Sequence, residues 1–488
     1  MFAIRGRNLR QRLQIIRQNN TTLRSVAILM VISILAVGLI GCNSRDRVIP
    51  VPNTPVDLTP TNELTIYIPN YILYTDDLNL AIRVFKMSYP SVTVNVESIA
   101  VGEGESFLND YTTRINSELM AGMGPDILLV NSRTVPNFYK TVDNGAFLNV
   151  SEIYNNDTEL NQNNFSKIVM DVGMYKGGRY VIPYSYNLSV LFGLEETLDS
   201  IGFDLSKNTD FISFFDEIER CLSENGKDIS WENSIGLMNA LDSLGVESWF
   251  NMIDYEHRTV RIDKNKIQEF CDHIKPYYKN MNKINRVTNQ TTVEDIASFE
   301  YIFRCDSKDI SGHMFNVSNA KALGYHGIFS AIHSFNGDTI ASMRDGLAIN
   351  ANSKNQFNAW NFIKIMLSEE VQKGARNSGP TISLPVNKNA MTSIISDSNY
   401  MKDGGIGSFG YYSASGSFTL TDVPLSTLVI EDVLPLVEVF DSITECNIND
   451  RNVRDYFINS LEPYLKDERS FEDCISDLEQ RLILYVSE

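Results

Sequence analysis

Histidine and tryptophan are scarce in this chain, cysteines are few, and positive charge is outnumbered. The five histidines among 488 residues (His257, His273, His313, His326 and His333) show no HxxxH or HExxH spacing, so no metal site is expected. Six cysteines contain no CxxC pair, and an exported disulfide framework would be denser. Lys and Arg number 42 against 61 Asp and Glu, a net charge of −19. That balance repels nucleic acid, anionic lipid and polyanionic substrates. No GxxxxGK[ST] loop and no GxSxG elbow occurs. Carboxylates are abundant, but no pair is singled out for acid/base work. No repeat of 20–50 residues is visible. No cofactor is expected.

Acids are also missing from one end: none precedes Asp46. Six arginines (Arg5, Arg7, Arg10, Arg12, Arg17 and Arg24) stand before an apolar run from Val26 to Ile40. A basic flank, a short apolar core and a small residue before a cut are the marks of an export signal. The run is short for a span, which needs ~20 residues. Its ending, Leu39-Ile40-Gly41-Cys42, resembles the lipobox of bacterial lipoproteins. That resemblance implies cleavage before Cys42, acylation of its sulfur, and a mature chain held on the outer face of the cytoplasmic membrane. Removing residues 1–41, with six arginines and no acid, takes the net charge from −19 to −25. The five other cysteines (Cys221, Cys271, Cys305, Cys446 and Cys474) are expected mostly as buried thiols, with a Cys446–Cys474 bridge left open.

Residues 42–62 carry Pro50, Pro52, Pro55 and Pro60 and are predicted to be an extended tether. Beyond them the chain is too long for one typical domain of ~100–200 residues, so two lobes are expected. Leu64-Thr-Ile-Tyr-Ile alternates like a strand. Leu78, Ala81, Ile82 and Phe85 have helical spacing, and Pro90 stops that helix. Val92, Val94 and Val96 alternate again. Leu108, Tyr111, Ile115 and Leu119 mark a second helix, closed by Gly122 and Gly124. Ile127–Val130 is a short apolar run suited to a strand covered on both faces. This β-α-β-α-β order predicts an α/β sheet. Ala359, Phe362, Ile363 and Met366 form an amphipathic stripe, which places Trp360 in the core. Phe471, Ile475, Leu478, Leu482 and Tyr485 form another, and Ser470 with Asp473 resembles a capping box at its start.

Six stretches, in order, resemble family 1 extracellular solute-binding proteins of ABC importers, the group that includes maltose-binding protein. They are AIRVFKMSYPSVTVNV (81–96), LMAGMGPDILLV (119–130), TVDNGAFLNV (141–150), YKGGRYVIP (175–183), DGLAINANSKNQFNAWNFIKIMLSEEVQ (345–372) and LPVNKNA (384–390). Residues 197–324 match least, and Asn149 stands where Asp is usual. The resemblance implies an α/β fold of the two-lobed, periplasmic-binding-protein-like (type II) kind, with crossing hinge segments and an interlobe cleft. The expected lobes are 63–183 and 334–386 for the first, and 184–333 and 387–488 for the second. Pro183 is expected on an exposed crossing strand. A second crossing is expected at His333–Asn336 and a third near Ser378-Gly-Pro380.

A sugar site needs aromatic faces and groups that bind hydroxyls. Strand ends and crossing segments offer Tyr71, Asp76, Asn131, Tyr184, Tyr186, Asn187 and Phe335; the least-matched stretch offers Trp231 and Trp249, and the Gly/Ser/aromatic stretch 404–418 offers Tyr411. Trp249 fits a core position as well as a stacking platform. Gly405–Gly410 satisfies GxGxxG but lacks the flanking strand and helix, so a cleft-rim loop is expected there. The expected protein is a monomeric, lipid-anchored receptor that hands a solute to ABC transporter permease subunits, with no enzymatic role. A sugar is the favoured solute; peptide, polyol and polyamine stay open. A surface glycosidase with two carboxylates across a cleft and a non-transport surface lipoprotein are the competing readings.

Overall fold

The computed structural model describes residues 56–69, 75–99, 106–135, 137–225, 246–281, 293–297, 303–306, 310–374, 384–396, 405–412 and 418–487. All belong to the unit Pro52–Glu488. The apolar run 26–40, Cys42, Tyr71, Trp231 and the segment near Ser378 lie outside them.

The predicted β-α-β-α-β order is present as β1 (Glu63–Pro69), α1 (Thr75–Ser88), β2 (Thr93–Ile99), α2 (Ser106–Met120) and β3 (Ile127–Val130). β1 runs parallel to both β2 and β3. β3 is buried at every position, as its unbroken apolar run requires. After α2, Gly122 and Gly124 take φ of +68° and +101°, a region that suits glycine, and turn the chain into β3. Asp126 then ties this turn to its surroundings. Its carboxylate accepts from Thr65 N at 2.7 Å, Ser353 Oγ at 2.6 Å and Asn355 Nδ2 at 3.1 Å.

α3 (Phe138–Asp143) and a small hairpin, β4 (Met174–Tyr175) with β5 (Gly178–Arg179), lead to β6 (Ile182–Asn187) and β7 (Val190–Leu194). Next come α4 (Phe211–Asn225), a second small hairpin of β8 (Ile253–Asp254) and β9 (Thr259–Val260), and α5 (Lys264–Met281). β10 (Arg304–Asp306), α6 (Ile310–Ala322) and β11 (Gly327–Ala331) precede the ten-residue β12 (Ile340–Ile349). The rest comprises α7 (Gln356–Met366), β13 (Leu384–Pro385), β14 (Gly405–Tyr412), β15 (Phe418–Leu425), α8 (Ile430–Asp441), β16 (Glu445–Ile448), α9 (Arg451–Leu465) and α10 (Phe471–Ser487).

One sheet has the order β13-β6-β12-β3-β1-β2, with β16 also paired to β12. β6 occupies one edge of β12. The other edge is shared: β16 pairs over Ile340–Met343 and β3 over Gly346–Ile349. A second sheet, β10-β7-β11, is antiparallel. Because side chains alternate along a strand, β7 feeds two cores. Val190, Phe192 and Leu194 join the core that holds β1, β3, α6, α7 and α8. Leu191 points into the second core, built by α4, α5, α9 and α10. We call the β1–β3 side the first lobe and the β7-β10-β11 side the second.

Several details differ from the sequence expectations. Pro183 is buried rather than exposed. β13 pairs with β6 only at Tyr186 and Ser185, and the partner of Pro183, Gly346, lies beside a bulge, so the missing N–H breaks no described ladder bond. Phe335 and Asn336 lie in a turn just before β12. The GxGxxG segment is not a loop: it is β14, paired along its whole length with β15. A partner strand of alternating apolar and β-branched residues outweighs weak glycine propensity. The tether ends early, since Asp57 N donates to Gln356 Oε1 and Asn358 Nδ2 donates to Thr61 O, both on α7. Cys446 and Cys474 are free thiols. Trp360 is in the core, and its Nε1 donates to Asp157 at 2.7 Å.

Asp126→Ala leaves a buried amide, a hydroxyl and an amide side chain without their acceptor. Its unfolding free energy should fall by about 1–3 kcal/mol, read as a lower urea midpoint with an unchanged slope. An unchanged midpoint would show that the carboxylate is not the tie.

Candidate functional site

On their shared edge of β12, β3 and β16 point at each other. β3 ends at Val130 opposite Gly346, and β16 ends at Ile448 opposite Met343. Arg344 and Asp345 fill the gap. Ligands of open α/β sheets gather at the carboxyl ends of strands. Here two such ends, one from each side, converge.

On the β3 side, Asn131 Oδ1 accepts from the amides of Arg133 and Thr134, both at 2.9 Å, and its Nδ2 donates to Asp345 Oδ1 at 2.7 Å. Asp345 is 4% exposed, and its second oxygen faces Ser185 Oγ at 3.5 Å and Arg344 Nε at 3.5 Å. The chain then enters α3, which carries Tyr139. On the β16 side, Asp450 caps α9. Its Oδ1 takes the amides of Asn452 and Val453, and its Oδ2 takes the hydroxyls of Tyr255 and Tyr485, each at 2.8 Å. Burial pushes the Asp450 carboxyl above its usual range in spite of these four donors. Burial also raises the Tyr255 hydroxyl well above normal.

Tyr139 and Tyr255 stack, with centroids 3.8 Å apart and planes 21° from parallel. A cavity of about 150 Å³ opens on one side of this pair, lined by Ser248, Asn251, Asn447, Asn449 and Asp450 together with the two rings. A smaller one of about 40 Å³ lies on the other side, against Asp143, Tyr175, Arg258 and Tyr485. Aromatic carbon beside amide, hydroxyl and carboxylate groups suits a polar, uncharged ligand with apolar faces. Among the described residues, no three His, Cys, Asp or Glu side chains converge as a metal set.

A family model for bacterial extracellular solute-binding proteins matches residues 91–402. The chain belongs to that family. Comparison with curated proteins gives no sequence match. Among solved structures, an extracellular solute-binding protein family 1 member from Alicyclobacillus acidocaldarius is 13% identical, with a TM-score of 0.58 over 88% of this chain and 100% of its own. The sugar-binding protein MalE from Xanthomonas citri is 11% identical, with a TM-score of 0.59 over 87% of this chain and 97% of its own. An ABC substrate-binding protein from Listeria monocytogenes, in complex with cycloalternan, is 13% identical, with a TM-score of 0.53 over 87% and 100%. At such identities the likeness is one of fold, the two-lobed solute-binding architecture. No helix among the described residues is long and apolar enough to cross a membrane.

The residues expected to contact solute divide into three groups in this solute-binding protein. Asn131 is at the strand-end junction. Asn187 is half-buried at the end of β6, and its Oδ1 is buried with no hydrogen-bond partner among the described residues. Asp76 is exposed on the first turn of α1. Tyr184, Tyr186 and Trp249 are 3%, 5% and 6% exposed. Tyr184 donates its hydroxyl to Asp77 at 2.8 Å. Trp249 packs edge-on against Phe211 and Phe335, inside a cluster that also holds Phe250 and Phe270. These three rings are buried in this structure, and Phe335 is half-buried against Trp249. Tyr411 lies on β14 opposite Thr419, in the β14–β15 hairpin rather than at the junction. Tyr71 and Trp231 are outside the described residues. Sequence reasoning missed Tyr139, Tyr255, Asn447, Asn449 and Asp450. The available signal was Asn449-Asp450, a helix cap directly after a strand.

Asp450 also gives a pH signature. Its folded-state pKa is raised, so the folded protein holds the proton more tightly than the unfolded chain does. Its contribution is fully present below the unfolded value of about 3.9 and is lost as pH rises through the folded value. Asp450→Asn, which keeps the cap, should therefore be favoured over wild type most near about pH 7, and the advantage should shrink toward about pH 4. Urea midpoints at both pH values read this; a constant difference would count against it.

Proposed function

We propose that this solute-binding protein captures a carbohydrate in the cleft where β3 and β16 meet and delivers it to an ABC importer. The observation that carries the reading is the cavity lined by tyrosines and asparagines beside the end of β16. Tyrosine rings supply apolar surface for sugar faces. Ser248, Asn251, Asn447 and Asn449 supply donors and acceptors for hydroxyls. The sugar-binding protein MalE from Xanthomonas citri and the cycloalternan-bound protein from Listeria monocytogenes share the fold and support the same ligand class. The lipobox-like Leu39–Cys42 supports a receptor held by acyl chains at Cys42 on the extracytoplasmic face, within reach of permease subunits.

A sugar panel tests the ligand. A solute present at about a hundredfold excess over its Kd stabilises the fold by about 2.7 kcal/mol, so the melting temperature of residues 43–488 should rise with at least one oligosaccharide. Asn447→Ala or Asn449→Ala should weaken that sugar by about tenfold while leaving the unliganded melting temperature in place. No shift with any sugar, and a shift with a peptide or polyamine, would replace carbohydrate as the ligand class. Recovery of the sugar unaltered separates capture from hydrolysis.

Anchoring has its own test. Cys42→Ala should abolish acylation and membrane retention. A wild-type N-terminus other than an acylated Cys42 would remove the anchor from the proposal.

A further inference from the structure

The tips of two hairpins meet beside the cleft. The β4–β5 hairpin and α3 come from the first lobe, before the chain makes its first crossing in β6. The β8–β9 hairpin comes from the second. Tyr175 Oη donates to Tyr255 O at 3.1 Å, and Lys176 N donates to Glu256 Oε1 at 2.9 Å. Asp143 accepts from Lys176 Nζ at 2.6 Å on its own lobe and from Arg258 Nη2 at 3.0 Å across the gap. The Tyr139–Tyr255 stack completes the contact. Lys176 and Arg258 sit at the two tips with φ of +47° and +52°, an uncommon region for such residues. Each lobe thus presents its tip in a constrained turn, shaped to meet the other.

None of these contacts involves the crossing strands β6 and β12. All but the Lys176–Asp143 pair join one lobe to the other, so separation of the lobes breaks those contacts at once. Asp143 is 12% exposed, which shields its pairing with Arg258 from solvent more than an ordinary surface pair. We propose that the two tips form a latch that holds the lobes together independently of solute, and that this latch sets the balance between open and closed receptor. The proposal rests on the two-lobed fold and not on the identity of the solute.

The test uses the full chain in detergent with no solute added. Spin labels at Met120→Cys on the first lobe and Asp216→Cys on the second report interlobe distance by pulsed electron resonance; both positions are exposed. Native thiols at Cys221, Cys271 and Cys474 are buried, and an unsubstituted control measures the labelling of the rest. Arg258→Ala with Tyr139→Ala removes one ion pair and one ring stack, which should raise the ratio of long to short distances by roughly tenfold. Arg258→Ala alone, at a residue 55% exposed and therefore safe for folding, should raise it by about threefold. Lys364→Ala, which breaks a first-lobe ion pair far along the chain from the tips, should leave the distribution unchanged. Distance distributions identical in wild type and both latch variants would overturn the proposal, as would an equal response to Lys364→Ala.

Discussion

The pairing of β12 with three partners is the constraint on which the other features depend. Its first half has one face partly open and alternates in burial, while its second half is buried throughout. The change occurs at Arg344–Asp345, where the pairing with β6 is irregular. A Cβ on Gly346 would lie 2.3 Å from Val181 Cγ1, so the strands approach there more closely than a side chain permits. Asp345 is buried in the same place and is held by Asn131. A one-residue slip of β12 would turn its side chains to the opposite faces. It would also separate the ends of β3 and β16, which converge on Arg344 and Asp345.

An aromatic cluster lies in the core of the second lobe. Phe211, Phe250, Phe270, Phe335, Phe457 and Trp249 are linked into one network by pairwise ring contacts. Edge-to-face and offset pairs add to simple burial. Tyrosines take the boundary with the first lobe instead, since each has a hydroxyl that can reach a partner. Asp450 serves two of them while capping α9. One carboxylate therefore joins a helix start, a hairpin and the last helix of the chain.

What could be read from the sequence was local. The β-α-β-α-β start, the buried stripe of α7 and the Ser470 cap of α10, whose Oγ accepts from Asp473 N at 3.1 Å, follow from spacing over a few residues. The turn at Asp126 is legible for the same reason. The cleft was less legible, because aromatic residue types do not reveal which ring faces a neighbour and which faces solvent. Trp249 and Tyr184 resemble ligand platforms until the residues packed against them are known. Tyr139 and Tyr255 lie far apart in sequence, and nothing local marks either as the other's partner. β14 misled for the opposite reason: its glycines suggest a loop, yet pairing with β15 decides its form.

The attachment of residues 57–61 to α7 has a mechanical side. Asp57 and Thr61 are fastened to Gln356 and Asn358, on the helix that packs with β1 and α1. Any pull transmitted along the N-terminal segment is therefore received by the first lobe and passes into its core. On that side the first lobe takes the load directly, and the second lobe receives it through β6, β12 and the strands beside them.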